Sequence, residues 1–230
     1  MKAILLAAGK GERLKNLTKS CPKPMMIVNG RPIIEHNIEM CKFFGITDIL
    51  INLHYMAEKI RDYLGDGRRL GVQIAYKYES DILGTAGAVK NFAEQLSNER
   101  FFVIYADNLS NYDLNKMYNQ HLNLNADMSM ALFYLEDVSQ SGVAVLNNND
   151  IIQNFIEKPN NKTTQSHWVN AGIYILEPEL VSDIPLGFSD FGKDIIPQFI
   201  ANNKKIIGVK MEQKVIAIDT PRLYRQVIKK

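Results

Sequence analysis

A glycine-rich segment near the amino terminus has the residue types of a phosphate-binding loop. An apolar stretch, residues 3–8, leads directly into Gly9-Lys10-Gly11-Glu12-Arg13, and a polar stretch continues to Lys23. Glycines let backbone N–H groups approach a phosphate without a Cβ atom in the way. Two cations are expected at one anionic site: the planar guanidinium group of Arg13, which can donate two parallel hydrogen bonds, and the compact ammonium group of Lys23. The segment therefore predicts a polyphosphate site.

Two better-known phosphate motifs fit this sequence poorly. In the dinucleotide fingerprint GxGxxG, Gly9 and Gly11 match, but Leu14 stands at the third glycine. A near-match to the P-loop motif occupies residues 187–193, and Asp194 replaces the Ser or Thr that would bind magnesium. We therefore interpret the second match as a coincidence and set both motifs aside.

A carboxylate follows a buried apolar run later in the chain. Phe101–Tyr105 predicts a strand, so Asp107 lies at its carboxyl end, the edge where α/β sheets bind ligands. A carboxylate there can hold a hard cation against phosphate oxygens. The alternative is an Asx turn or a helix cap, because Asn108 and Ser110 are adjacent.

The elements that position these residues follow from the hydrophobic pattern. Apolar runs alternate with amphipathic stretches in the first half of the chain, which predicts βαβ units. Helices are predicted at 33–44, 86–96 and 114–122. Strands are predicted in the second half at 128–134, 143–146, 151–156, 169–176, 206–209 and 215–218, with a turn at 147–150. The predicted fold class is α/β, with mixed sheet added to a wound half.

Composition limits the protein class. The 230 residues are 46% hydrophobic, which is enough for one sizeable α/β core. Lys and Arg number 27 against 25 Asp and Glu, and this net charge of +2 predicts no nucleic-acid surface. No apolar run approaches the roughly 20 residues that span a bilayer. Cys21 and Cys41 form no CxxC pair, which excludes a disulfide framework or zinc site. We expect a cytoplasmic protein without a membrane partner.

Residues 6–25 resemble the signature of the sugar-1-phosphate nucleotidylyltransferase family, LAAGxGxRLxPLTxxxPKP, with Asn16 in place of a proline. Further blocks occur in the family's order: Leu83-Gly84-Thr85-Ala86-Gly87-Ala88, Ala106-Asp107-Asn108, Glu157-Lys158-Pro159, Asn170-Ala171-Gly172-Ile173-Tyr174 and Asp190-Phe191-Gly192-Lys193-Asp194. The resemblance covers nearly the whole chain, and it looks most like bacterial mannose- or heptose-1-phosphate guanylyltransferases.

This resemblance implies a fold and a domain layout. The expected fold is a Rossmann-like wound mixed sheet flanked by helices, similar to the GT-A-like nucleotidyltransferase fold. Residues 1–230 would form one domain with two lobes, in which 1–125 mainly bind the nucleotide and 126–230 mainly bind the sugar.

The resemblance also implies a reaction and its site residues. A nucleoside monophosphate would pass from a nucleoside triphosphate to a sugar 1-phosphate, with Mg²⁺ as cofactor and pyrophosphate as second product. The expected catalytic residues are Arg13, Lys23 and Asp107. The expected nucleotide-binding residues are Leu6, Ala8, Gly9, Gly11, Glu79, Gly84 and Thr85. The expected sugar-binding residues are Gly142, Glu157, Lys158, Asn170 and Gly172, with Glu157 accepting sugar hydroxyls and Lys158 binding the sugar phosphate.

The metal is expected on Asp107 and Asp219. Matching Thr220-Pro221 to the family places Ala217 at the usual ligand position, with Asp219 two residues later. Positions two apart on a strand face the same side, so Asp219 can reach the metal if the strand end bends. The competing interpretation is that Asp219 caps the last helix.

Glu79 is the residue expected to recognise the nucleobase. This residue lies where related thymidylyl enzymes carry a glutamine, and a carboxylate can accept hydrogen bonds from both N1–H and N2–H₂ of guanine. GTP is therefore favoured, with UTP, CTP and dTTP as alternatives. Two competing interpretations are that backbone groups around Leu6, Ala8 and Gly9 carry most of the base recognition, and that Glu79 is simply solvated.

Two rival functions remain open at this point. One is a phosphocholine-type cytidylyltransferase, although choline recognition needs an aromatic cage and several blocks suit a polyhydroxylated ligand. The other is a regulatory protein that binds a nucleotide sugar without turnover. The oligomeric state, monomer or homodimer, is not encoded in these patterns.

Overall fold

The computed structural model describes residues 1–159, 164, 166–212, 216–218 and 220–228. The chain forms two compact units. The first contains Met1–Ile82, Ile104–Asn111 and Val215–Lys230, and the second contains Leu83–Val103 and Tyr112–Lys214. These units are defined by packing, whereas the predicted lobes, 1–125 and 126–230, are defined by ligands and stay a prediction.

The helices and strands have the following bounds. In chain order the strands are β1 (Lys2–Leu6), β2 (Ile27–Val28), β3 (Arg31–Pro32), β4 (Asp48–Leu53), β5 (Gln73–Tyr78), β6 (Phe101–Tyr105), β7 (Asn108–Leu109), β8 (Met128–Tyr134), β9 (Gly142–Leu146), β10 (Ile152–Glu157), β11 (Trp168–Leu176), β12 (Ile206–Lys210) and β13 (Ile216–Ala217). The α-helices are α1 (Ile33–Phe43), α2 (Ala57–Leu64), α3 (Gly84–Asn91), α4 (Ala93–Leu96), α5 (Leu114–Asn123), α6 (Leu180–Asp183), α7 (Ile196–Ala201) and α8 (Pro221–Val227). Short 3₁₀ helices lie at Glu12–Thr18, Lys23–Met25 and Arg68–Leu70, and a π-helical turn at Phe191–Ile195.

The first unit contains the parallel strands that the alternating pattern predicts. Strand β1 pairs in parallel with β4, and β4 pairs in parallel with β5. Helix α1 buries Ile34, Ile38 and Cys41, as their helical spacing predicts. The last two residues of β6 belong to this unit, and beyond them the N–H of Ala106 donates to the carbonyl oxygen of Leu6 (3.1 Å). This bond brings the segment after β6 to the carboxyl end of β1.

The second unit contains antiparallel and parallel pairs. Strand β8 pairs antiparallel with β11 and parallel with β12, while β9 pairs antiparallel with β10 and β11. The predicted turn at 147–150 is confirmed, since Asn147 Oδ1 accepts from the N–H groups of Asn149 and Ile151. The prediction of an α/β fold with a mixed sheet and flanking helices is confirmed.

Two predicted elements differ from the structure. The helix predicted at 86–96 is wrong as a single element, because α3 and α4 are separated at Phe92, a buried residue with ψ of 16°. The strand predicted at 215–218 ends at Ala217 rather than one residue later, and it pairs with β7 in a separate two-stranded ribbon, while Val215 lies outside the described residues. Within the described ranges, none of the helices is long and apolar enough to cross a membrane.

Candidate functional site

An open cavity of about 430 Å³ lies in the first unit, at the predicted phosphate loop. Its lining combines three basic residues, two acidic residues, one glycine and two apolar residues. The lining residues are Lys10, Gly11, Glu12, Arg13, Leu14, Lys23, Ile82 and Asp107. The structure therefore brings the three predicted catalytic residues to one cavity. We call this cavity and its lining residues the phosphate pocket.

Lys23 and Asp107 form the central ion pair of the phosphate pocket. The Nζ atom of Lys23 lies 2.6 Å from Oδ2 of Asp107, and the two side chains are 5% and 34% exposed. A buried charge is costly unless it is paired. The partner therefore fixes the ammonium group at the pocket wall, while the more exposed carboxylate keeps access to the cavity.

The loop that carries Arg13 is held in shape by close contacts around Gly11. Gly11 has a φ of +63°, and a Cβ atom there would lie 3.0 Å from Cγ2 of Thr18. Thr18 Oγ1 donates to the carbonyl oxygen of Gly11 (3.1 Å). The hydroxyl of Tyr55 donates to the carbonyl oxygen of Thr18 (2.9 Å). Leu14 packs into a buried apolar cluster of the same unit. These contacts define the loop before any ligand arrives.

The residues before Gly11 leave open space. Gly9 is exposed, and a Cβ atom there would meet no described atom within 4 Å. Packing therefore does not require glycine at this position, whereas close approach of a ligand to the backbone would. Ala8 is buried, and Leu6 is half-buried at the end of β1.

A buried asparagine holds the turn that presents Asp107, and the sequence analysis missed it. Asn37 Nδ2 donates to the carbonyl oxygens of Asn108 (3.0 Å) and, more weakly, of Ala106 (3.4 Å), on either side of Asp107. The available sign was a polar residue between Ile34 and Cys41 on the apolar face of α1. Such a residue needs a buried hydrogen-bonding partner.

Glu79 lies inside the first unit rather than in solvent. It is 2% exposed, and its Oε1 accepts a hydrogen bond from Nδ2 of Asn52 (2.8 Å). The interpretation of Glu79 as a solvated side chain is therefore wrong. Its contact with a base stays a prediction.

The second expected metal ligand, Asp219, lies outside the described residues. Strand β13 ends at Ala217, which is paired with Asn108, the neighbour of Asp107. Among the described residues, no group of three or more His, Cys, Asp or Glu side chains is arranged to hold a metal ion. Of the two expected metal ligands, the structure therefore gives the position of Asp107 and not that of Asp219.

In the second unit, the carboxylate of Glu157 packs closely against two glycines. Its Oε2 would lie 2.8 Å from a Cβ atom on Gly142 and 2.7 Å from one on Gly192. Burial, and then repulsion by Asp190, raise the pKa of Glu157, while Lys158 and Lys193 oppose the rise. Gly192 therefore makes room for a carboxylate of this chain, and Gly142 makes room for that carboxylate and for the ring of Phe155.

The GTAGA block of the second unit packs against a distant segment of the same unit. Gly84 has a φ of +75°, and a Cβ atom there would lie 2.3 Å from the carbonyl oxygen of Ser189. Thr85 Oγ1 donates to Oδ2 of Asp190 (3.0 Å) and accepts from the N–H of Phe191 (2.8 Å). The small residues thus admit protein backbone, and a nucleotide contact at Gly84 and Thr85 stays a prediction.

The remaining predicted sugar residues lie at the ends or irregularities of strands in the second unit. Lys158 follows β10 with a φ of +50°, and its N–H donates to the carbonyl oxygen of Ser141 (3.0 Å). Gly172 lies in an irregularity of β11, with a φ of +74°, and its N–H donates to Oδ1 of Asn170 (2.9 Å). The nearby glycine thereby orients the asparagine amide.

The sequence also matches known proteins. Residues 2–215 match the model of the nucleotidyl transferase family. The chain belongs to this family. It is 35% identical to the UTP–glucose-1-phosphate uridylyltransferase of Synechocystis, over 100% of this chain and 63% of the relative. It is 32% identical to a probable mannose-1-phosphate guanylyltransferase of Oryza sativa, over 88% of this chain and 57% of the relative. The chain thus spans less than two thirds of these relatives.

Two solved structures share the fold along nearly the whole chain. The structure of HddC from Yersinia pseudotuberculosis complexed with GMP-PN is 25% identical with a TM-score of 0.84, covering 99% of this chain and 98% of HddC. A putative glucose-1-phosphate thymidylyltransferase from Bacillus anthracis is 26% identical with a TM-score of 0.89, covering 100% of this chain and 94% of that protein. The named relatives thus differ in base and in sugar.

Proposed function

We propose that this nucleotidyl transferase family member transfers a nucleoside monophosphate from a nucleoside triphosphate to a sugar 1-phosphate, releasing pyrophosphate. The observation that supports this most directly is the phosphate pocket, where Arg13 and the Lys23–Asp107 pair line one open cavity. The pocket presents cations and a carboxylate, which suits a polyphosphate bound together with a divalent ion.

The proposed reaction needs no protein nucleophile. An oxygen of the sugar phosphate attacks the α-phosphorus in line, a new P–O bond forms, and the bond to the bridging β-phosphate oxygen breaks. Pyrophosphate leaves with that electron pair. A phosphate monoester has a second pKa of about 6, so the attacking group is already largely ionised near neutral pH. The chain's task is therefore to hold two anions together and to offset their repulsion.

The residues of the chain divide this task. Arg13 and Lys23 offset the charge on the triphosphate and on the departing pyrophosphate, and loop N–H groups around Gly9 orient it. In the second unit, Lys158 binds the phosphate of the sugar and Glu157 accepts hydrogen bonds from its hydroxyls. The pKa of Glu157 is raised in the folded protein, and the side chain is ionised at pH values above this pKa. The ionised carboxylate accepts hydrogen bonds from hydroxyls most strongly.

The pocket also fits Mg²⁺. This ion prefers oxygen ligands and is commonly held by one or two carboxylates together with substrate phosphates. Asp107 is one third exposed beside Lys23 in the phosphate pocket, which suits such partial protein ligation. Asp107, with Asp219 as the second proposed ligand, would hold the ion. When bound, Mg²⁺ neutralises charge on the phosphate oxygens.

For specificity, we propose GTP with mannose 1-phosphate or a heptose 1-phosphate. Relatives named mannose-1-phosphate guanylyltransferase and the GMP-PN complex of HddC support this pair. The Synechocystis relative, named as a UTP-dependent glucose-1-phosphate enzyme, favours the alternative of UTP and a hexose phosphate.

The test is pyrophosphate release with Mg²⁺ and GTP, UTP, CTP or dTTP, each paired with mannose, glucose or heptose 1-phosphate and with phosphocholine. We expect the highest kcat/KM with GTP and mannose or heptose 1-phosphate. Higher kcat/KM with another triphosphate would overturn the base assignment, and turnover with phosphocholine alone would overturn the sugar assignment. No release with any pair, although nucleotide sugar binds, would identify a regulatory protein instead.

A further inference from the structure

Two polar side chains of the first unit are buried and take no part in the transfer steps described above, although a contact of one of them, Glu79, with the base stays a prediction. Asn52 is 3% exposed and Glu79 is 2% exposed. Asn52 follows three buried apolar residues of β4, at 49–51. Burying an amide and a carboxyl group is costly unless their polar atoms are hydrogen-bonded. Their partners therefore indicate what the burial achieves.

The two side chains link the core to the start of the phosphate loop. The backbone N–H of Ala7 donates to Oδ1 of Asn52 (2.8 Å), and Nδ2 of Asn52 donates to Oε1 of Glu79 (2.8 Å). The register of β1 and β4 ends with Leu6 opposite Asn52. The amide oxygen of Asn52 thus takes over as acceptor at the residue where the strand ladder stops.

Glu79 fixes which way the Asn52 amide faces. Oε1 of Glu79 accepts from the NH₂ end of the amide, so the amide oxygen faces Ala7. The glutamate is itself anchored: its N–H donates to the carbonyl oxygen of Leu53, and its carbonyl oxygen accepts from Nδ1 of His54, each at 2.8 Å. A chain of hydrogen bonds therefore runs from Glu79, directly after β5, through Asn52 in β4 to Ala7, directly after β1.

We propose that Asn52 and Glu79 are positioning residues for the phosphate loop, an inference that rests on the proposed function. The bond to Ala7 sets the direction in which the chain leaves β1, and the exposed glycine at position 9 follows two residues later. A loop whose N–H groups are already oriented binds a triphosphate without the entropic cost of ordering. Glu79 thus acts through Asn52 on the phosphates, whereas the sequence analysis assigned it to the base.

The two roles of Glu79 predict different effects on base preference. A positioning residue acts on the phosphates that all nucleoside triphosphates share, so its loss weakens GTP and UTP equally. A residue that contacts guanine directly alters the ratio of the two affinities. Glu79→Gln separates them, because the glutamine oxygen can still accept from Asn52 but the side chain no longer offers guanine two acceptors.

The experiment measures the Kd of GTP and of UTP by calorimetry, and KM and kcat by pyrophosphate release, for N52A, E79A, E79Q and the double variant N52A/E79A. We expect N52A and E79A each to raise Kd and KM about tenfold for both triphosphates, with a smaller change in kcat. The double variant should lose no more triphosphate affinity than the weaker-binding single variant, because each substitution already breaks the same chain of hydrogen bonds. E79Q should recover most of the affinity with an unchanged GTP to UTP ratio.

A matched control removes another buried carboxyl group of the same unit. Glu35 accepts from the hydroxyl of Tyr63 (2.8 Å) and from Arg69 (3.2 Å), away from the Ala7 bond. We expect E35Q to lower the thermal midpoint and leave Kd unchanged. Melting curves for every variant identify any that fail to fold. If the alanine variants fail to fold, the GTP to UTP ratio of E79Q alone decides between the two roles of Glu79.

The contradicting results are distinct from those for the proposed function. A shift of the GTP to UTP ratio in E79Q, or additive losses in the double variant, would overturn the positioning role. Triphosphate binding to the wild type without turnover would contradict the transfer reaction, and the Kd values would still decide on Asn52 and Glu79. No triphosphate binding to the wild type would overturn both.

Discussion

One glycine of the phosphate loop and one glycine of the GTAGA block have different surroundings. At Gly9 in the first unit, a Cβ atom would meet no described atom within 4 Å, whereas at Gly84 in the second it would meet backbone at 2.3 Å. A Cβ atom would likewise meet the ring of Phe155 (2.5 Å) and the carboxylate of Glu157 (2.8 Å) at Gly142, and that carboxylate (2.7 Å) at Gly192. Gly9 thus leaves open space that a ligand can use, whereas Gly84, Gly142 and Gly192 leave room for atoms of the protein itself.

This difference predicts how each unit responds to substitution. The phosphate pocket is an open cavity around one ion pair, so changes there should reduce activity while the fold persists. The second unit holds its predicted sugar residues by close packing, so an added atom there should reduce stability, whereas removal of the buried charge of Glu157 should raise it. The following predictions test that contrast.

The largest expected effect is the loss of Lys23. Lys23→Ala leaves Asp107 without its 2.6 Å partner and removes a cation from the phosphate pocket. We expect kcat/KM for pyrophosphate release to fall by about 10³-fold with the circular dichroism spectrum retained. The control is Lys2→Ala, which breaks a more exposed pair with Asp48 at 3.6 Å in the same unit. Equal activity of the two variants would refute the assignment of Lys23.

A large loss of stability is expected at Gly84. Gly84→Ala adds a Cβ atom at a φ of +75° against the backbone of Ser189, and we expect the free energy of unfolding in urea to fall by about 3 kcal/mol. Gly45→Ala is the matched control, since its φ is +78° and no described atom lies within 4 Å of the added Cβ. It should lose only about 1 kcal/mol from backbone strain. Equal losses would show that packing against Ser189 contributes nothing.

Gly9→Ala should separate binding from folding. The added methyl group meets no described protein atom, so the thermal midpoint should stay within about 2 °C of the wild type. The KM for the triphosphate should rise about tenfold, because the methyl group occupies the space in which phosphates approach the loop. An unchanged KM would mean that the ligand does not approach Gly9.

The smallest expected effect is the pH-dependent stability of Glu157→Gln. Burial and repulsion by Asp190 raise the pKa of Glu157, so the folded state disfavours its ionised form more than the unfolded state does. The penalty is absent below the ordinary glutamate pKa, grows as pH rises through the raised folded pKa, and is complete above it. The variant should therefore melt about 2 °C higher than the wild type at pH 8 and equally at pH 4.

The same substitution should raise the KM for the sugar 1-phosphate, because glutamine accepts hydrogen bonds from hydroxyls less strongly than a carboxylate does. A variant that melts lower than the wild type at pH 8 would contradict the cause assigned to the shift.

The clustering of Arg13, Lys23 and Asp107 could be predicted from the sequence because it follows general rules. Alternating apolar and amphipathic stretches predict parallel strands, and the carboxyl ends of such strands meet at one edge. Asp107, after β6, therefore lies beside Lys23 as expected, although the two are distant in sequence. The helical face of α1 followed from spacing alone.

The environment of Glu79 could not be predicted in the same way. Its bond to Asn52 depends on the register of β4 and β5, which pairs Asn52 with Lys77 and which no local pattern encodes. The partner of Gly84 at Ser189 lies about a hundred residues later in the chain, so a ligand was the simpler expectation. At Phe92 the apolar spacing continues through the break, and periodicity therefore predicted one helix instead of two.

The most direct test of the central claim follows phosphorus atoms through the reaction. GTP labelled at the α- or γ-phosphorus is incubated with mannose 1-phosphate, Mg²⁺ and either the wild type or Lys23→Ala, and the products are separated. We predict that the wild type transfers α-label to a nucleotide sugar and releases γ-label as pyrophosphate, and that Lys23→Ala does neither at a comparable rate. Release of γ-label as orthophosphate, with α-label left in GDP, would contradict attack at the α-phosphorus.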